Sequence, residues 1–131
     1  MIIDQKVLDE LSTAAKASTR LRMNLDLRNS PSDGSQRMLN ALEPGTVMPI
    51  HRHRKSSETV VIIRGKIQWI FYDDNGGETE RVTLDAKGNL RMLNVERGRW
   101  HSLVCLERGS VLFESKDGGY EALGEGEVMN V

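Results

Sequence analysis

The sequence predicts an all-β fold of short antiparallel strands, a sandwich or barrel, with one α-helix at its N-terminus. Three observations predict it. Beyond residue 36, short apolar runs are punctuated by turn residues at Pro44-Gly45, Arg64-Gly65, residues 73–77, Lys87-Gly88, Arg97-Gly98, Arg108-Gly109 and Gly118-Gly119. A turn roughly every ten residues is the rhythm of antiparallel sandwiches and barrels. Residues 66–72 and 79–84 flank Asn75-Gly76, a pair that tolerates the positive φ angles of a tight hairpin. Helical spacing of apolar residues is absent after residue 20.

Taken in order, residues 4–18 place Val7, Leu8, Leu11, Ala14 and Ala15 on one helical face, with Asp4 available as the N-cap. In residues 21–28, Leu21, Met23, Leu25 and Leu27 alternate with polar residues, the period of a half-buried strand. Residues 29–35 read as a loop. The chain is therefore expected to form a single domain, with a helix-and-strand extension over 1–36, a barrel over 37–120 and a tail over 121–131. That tail contains glycine and acidic residues and is expected to be loosely held.

The 131 residues suit one hydrophobic core, with 38% hydrophobic and 28% charged residues. The net charge of -1, from 18 basic and 19 acidic residues, gives no global attraction for nucleic acid or a bilayer. No apolar run approaches the roughly 18 residues of a spanning helix, and the first residues lack the pattern of a secretory signal. A cytoplasmic protein with a small-molecule ligand, and with neither nucleic acid nor membrane as partner, is expected. Cys105 is the single cysteine, so no intrachain disulfide can form.

The chain has three histidines, and all fall in one pattern. On an extended strand His51 and His53 face the same side while Arg52 points away. Glu58, after a short turn, opens the next strand and can return to the same level. His101 follows the Gly98 turn at the start of another apolar strand. Three imidazoles and one carboxylate suit a divalent transition metal (Fe, Zn, Mn, Ni, Co or Cu) and leave coordination positions for water or substrate.

Gly45, His51, His53, Glu58 and Gly65 match, in residue and spacing, the first motif of the cupin superfamily, Gly-x5-His-x-His-x3,4-Glu-x6-Gly. Gly98 and His101 match part of its second motif. Glu96 stands where proline is usual, Cys105 where asparagine is usual, and Gly88 lies two residues too early. More narrowly, RMLNALEPGT, HRHRKSSETVVIIRGKI, FYDDNG, WHSLV and VLFESKDGGY resemble the WbuC family of cupin-fold metalloproteins, over about residues 5 to 120. The resemblance implies a double-stranded β-helix, or jelly-roll barrel, with His51, His53, Glu58 and His101 around one metal. It also implies bacterial surface-polysaccharide metabolism and a homodimer, paired through the N-terminal helix and residues 21–28, where an exposed strand edge invites augmentation.

Glu58 is also a candidate proton carrier, since in some cupins this carboxylate stays outside the coordination sphere. Arg22, Asn24, Arg37 and Asn40, polar residues in strand-like apolar segments, are candidate substrate contacts. Trp100, beside His101, could shape the pocket mouth. Cys105 has the strand parity of His101, but its apolar neighbours favour a packing role. Arg64 shares the parity of Glu58, yet six residues carry it about 20 Å along the strand, too far to reach the metal. Two function classes stay open: a metal-dependent enzyme, an isomerase or a dioxygenase, and a non-catalytic metal-dependent binding module. The absence of a spare histidine disfavours a metal-free sugar epimerase, which needs a histidine base and a tyrosine acid; Tyr72 and Tyr120 lie near expected turns.

Overall fold

A computed structural model describes residues 1–130. One helix, α1 (Gln5–Ala17), precedes eight strands: β1 (Arg22–Asp26), β2 (Ser35–Leu42), β3 (Glu58–Arg64), β4 (Lys66–Tyr72), β5 (Glu78–Asp85), β6 (Met92–Val95), β7 (Trp100–Cys105) and β8 (Ser110–Asp117). Asp4 caps the helix by accepting the Val7 backbone N–H at 3.1 Å, which satisfies one of the amide donors orphaned at a helix start.

The strands form a five-stranded sheet in the order β1-β2-β8-β3-β6 and a three-stranded sheet in the order β5-β4-β7. Every strand pair is antiparallel. The two sheets face each other as a sandwich; among the described residues they do not close into a continuous barrel, so the jelly roll takes its two-sheet form.

Strand periodicity decides where each side chain goes. Val60 and Ile62 of β3, Leu112 of β8, Ile67, Trp69 and Phe71 of β4, and Leu103 and Cys105 of β7 meet between the sheets. The opposite face of the larger sheet presents Leu39, Ala41 and Val111 to Leu8, Leu11 and Ala15 of α1, forming a second apolar cluster. Arg64 ties that helix down. A bulge between Ile62 and Arg64 breaks the alternation, so Arg64 leaves the inward face. It bonds Asp9 Oδ1 at 2.7 Å, Ser12 Oγ at 2.9 Å and the Gly109 carbonyl at 2.9 Å.

Gly65, the last residue of the motif, turns β3 into β4 at φ +85°. A Cβ there would strike Ser110, at its Oγ and at 2.7 Å from its Cα, so both backbone angle and space select glycine.

The tail corrects the expectation of a loosely held segment. The Met129 N–H donates to the Ile50 carbonyl and the Arg52 N–H to the Glu127 carbonyl, both at 2.9 Å. Residues around His51 form no named strand, so their backbone groups take partners from the tail on one side and from β7 on the other.

Candidate metal centre

Three segments meet at one end of the sandwich interior and bring four side chains together. His51 is held by a single antiparallel bridge to His101, each donating its N–H to the other's carbonyl at 2.9 Å. His53 follows two residues later, Glu58 is the first residue of β3 and His101 the second of β7. One ring nitrogen from each of His51, His53 and His101 lies within 4.8 Å of the others. The Glu58 Oε1 sits 3.0 Å from His101 Nε2 and 3.9 Å from His53 Nε2.

The second nitrogen of two of these rings is committed. His51 Nδ1 lies 2.9 Å from the Pro49 carbonyl and His101 Nδ1 2.9 Å from the Arg99 carbonyl. A carbonyl only accepts, so each Nδ1 carries the proton and each Nε2 is left with its lone pair, the tautomer a metal requires. Trp69 stacks on His101 at 5.2 Å and an interplanar angle of 14°, fixing the ring's plane.

His101 Nε2 is fully buried and makes no hydrogen bond; its 3.0 Å approach to Glu58 lacks hydrogen-bond geometry. A buried, unsatisfied ring nitrogen is costly, and a cation between the imidazoles would satisfy it. Burial, reinforced by the neighbouring His101 and His53 rings, lowers the His51 pKa to about 4. Burial also lowers that of His53, with Lys116 acting in the same direction. Both rings are therefore neutral near pH 7, as ligands must be. For Glu58, burial would raise the carboxyl, and the Lys116 charge facing it across the β3–β8 pair opposes that and favours the carboxylate. The donor set thus fits a divalent ion.

The cluster opens on a cavity of about 380 Å³ between the sheets, within the common range of about 300–1,000 Å³ for small-molecule sites. Arg22, Asn24 and Asn40 line it. Arg37 and Trp100 do not, which corrects two of the expected substrate contacts. On β2, Arg37 shares the outer face with Leu39 and Ala41 and pairs with Asp33 at 2.9 Å. Trp100 precedes His101 on a strand and so points the other way; its indole N–H donates to Asp74 at 3.1 Å, and the Arg52 guanidinium lies 4.3 Å over its ring.

Sequence reasoning missed Gln36, Trp69, Glu114, Lys116 and residues 120–123, which also line the cavity. The signal for two of them was present: Leu112, Glu114 and Lys116 alternate on β8, and the period of two places all three on one face. Burial, then the Glu58 charge, raises the Glu114 carboxyl to about 7. Tyr72 bonds Ser102 Oγ at 3.0 Å on the outer face of the smaller sheet, whereas Tyr120 reaches the cavity.

A family model described as "Domain of unknown function (DUF6016)" matches residues 3–84. No curated protein matches the chain. Among solved structures, an oxalate oxidase in complex with the substrate analogue glycolate superposes with a TM-score of 0.66 at 14% identity, over 83% of this chain and 57% of that one. The capsular polysaccharide assembling protein CapF from Staphylococcus aureus gives 0.66 at 19% identity, over 79% and 30%. KdgF from Halomonas sp. gives 0.60 at 15% identity, over 76% and 82%. The chain thus spans little more than half of the oxalate oxidase and under a third of CapF. These neighbours are cupin-fold proteins, and the likeness establishes the cupin fold here. No helix is long and apolar enough to cross a membrane among the described residues.

Proposed function

We propose that this chain, which belongs to the domain-of-unknown-function family DUF6016, is a cupin metalloprotein. It binds one divalent transition metal through His51, His53 and His101, with Glu58 as fourth ligand, and presents that metal to a small polar or sugar-derived metabolite. The observation that carries this reading is the convergence of three ring nitrogens within 4.8 Å, one of them buried without a hydrogen bond, at the end of a ligand-sized cavity. A bound ion would supply Lewis-acid polarisation of a ligand oxygen or, if redox-active, an electron.

The chain's own residues do the rest. Backbone carbonyls hold two imidazoles in their ligating tautomer, Trp69 stacks against His101, and Arg22, Asn24 and Asn40 supply polar contacts along the cavity wall. The resemblance to the WbuC family supports a place in surface-polysaccharide metabolism in the cytoplasm. The outer strand β1, paired on one side with β2, supports a homodimer formed through β1 and α1; a monomer in light scattering at micromolar concentration would refute it.

A second reading, a non-catalytic metal-dependent binding module, is favoured by the histidines: all three of the chain's imidazoles are in the cluster, so none is left over to serve as a separate base. Both readings need an open metal. In the cobalt-substituted protein, azide is expected to shift the visible absorption bands. Bands indifferent to azide and to small carboxylates would mean a closed structural site.

A further inference from the structure

Arg22 is a half-buried cation that lacks an anion. It lines the cavity from β1, and its side-chain hydrogen-bond partner among the described residues is the Met48 sulfur, Nη1 to Sδ 2.7 Å. Arg28, Arg37, Arg64, Arg81, Arg97 and Arg99 each hold a carboxylate within 3 Å. Of the other arginines, Arg20, Arg54, Arg91 and Arg108 are exposed to water, and Arg52 lies over Trp100 and donates to the Gly126 carbonyl, which leaves Arg22 as the half-buried one that faces the cavity. Burial, and then the charge of Arg20, depresses the Arg22 pKa below its ordinary value. A desolvated guanidinium beside a second cation is unfavourable unless something else supplies the counter-charge.

The cavity's other half-buried cation is differently placed. Lys116 faces Glu58 across the β3–β8 pair, and its charge acts on both the Glu58 and Glu114 carboxyls. Lys116 thus has two carboxyl groups in its neighbourhood, although it forms no ion pair within 4 Å among the described residues, whereas the charged neighbour that acts on Arg22 is the cation Arg20. The register sets Arg22 apart from it: Arg22 pairs with Leu42 and Lys116 with Gln36, six residues along β2, or about 20 Å of strand. Between them Asn24 faces Asn40 across the β1–β2 pair, two carboxamides suited to hydroxyl groups.

We propose that Arg22 is the anion-binding residue of this cavity, and that the ligand is a sugar-sized acid, carboxylate- or phosphate-bearing, with its charge on Arg22 and an oxygen directed to the imidazole cluster. An arginine fork matches either anion bidentately. This inference rests on the cavity being the ligand site, as proposed above.

The test is calorimetric titration of the purified protein, with metal content determined on the same sample, using D-glucose, D-glucuronate and D-glucose 6-phosphate, which share a ring and differ at carbon 6. One of the two acids should bind at least tenfold more tightly than glucose, and which one does so identifies the anion. Arg22→Met should remove that preference while leaving metal content unchanged, and should raise the melting temperature of the ligand-free protein by relieving the unpaired charge. Glucose binding as well as the acids, no binding by any of the three at millimolar concentration, or a preference that survives Arg22→Met would each overturn the inference. Metal without acid preference defeats this inference alone, whereas an Arg22-dependent acid preference in protein that takes up no transition metal on reconstitution defeats the metal reading alone.

Discussion

His51 and His101 exchange two backbone hydrogen bonds of 2.9 Å, and this one bridge sets their imidazole centroids 4.3 Å apart. The other edge of His51 is bridged to Val128, so the ligand segment is gripped from both sides. Truncation after Gly119 removes that second grip, together with the Tyr120–Leu123 part of the cavity wall. Metal affinity measured by chelator competition should fall by about tenfold, the lower end of what losing support around a ligand costs. Unchanged affinity would mean that β7 alone positions His51.

The metal-free protein should show two opposing pH dependences. His51 titrates near 4 when folded against 6.5 when exposed, so the unfolded state binds more protons between those values and stability is lost as pH falls through that window. Glu114 titrates near 7 against 4.5; here the folded state binds more protons, and stability is lost as pH rises from 4.5 to 7. Glu114→Gln removes the second effect. Its melting temperature should therefore fall more steeply than the wild type's as the metal-free protein is taken from pH 7 to 5, and parallel curves would contradict the assigned direction.

Two glycines of similar φ separate strain from collision. Gly65 at +85° abuts Ser110, whereas a Cβ on Gly98 at +76° would meet nothing within 4 Å. Gly98→Ala should cost about 1 kcal/mol from backbone strain, and Gly65→Ala at least about 2 kcal/mol more, as an overpacked site does. Urea denaturation of both variants checks this, and equal losses would remove the steric argument.

Arg64→Met should loosen α1 without touching the metal. It leaves the buried Ser12 hydroxyl without its guanidinium partner and breaks an ion pair to the exposed Asp9. Together these are worth about 1–2 kcal/mol. Faster amide exchange confined to residues 5–17, at unchanged metal content, is the expected result; faster exchange in β3 would show that Arg64 holds the sheet instead.

Strand periodicity and turn chemistry made most of the fold legible in the sequence. The capped helix, the Asn75-Gly76 hairpin and the strand opened by Glu58 follow from local patterns that tertiary contacts reinforce. The bulge after Ile62 was not legible, because one inserted residue changes the parity of Arg64 without leaving a mark in composition. Arg37 and Trp100 were misplaced for a related reason: polarity near a motif was weighed above the alternation that puts Arg37 with Leu39 and Trp100 opposite His101. Glu114 and Lys116 escaped notice because they lie far from the histidines in sequence, and only the β3–β8 pairing brings them to Glu58. The partners of the tail were invisible for the same reason, since a backbone bridge has no side-chain signature.

The central claim, a metal held by the three imidazoles, is tested most directly by elemental analysis of the purified protein beside the His51→Ala/His53→Ala double variant. The account predicts close to one equivalent of a single transition metal in the native protein and almost none in the variant. Native protein without metal that also fails to take up any of Fe, Zn, Mn, Ni, Co or Cu on reconstitution, or a variant that keeps its full equivalent, would contradict it.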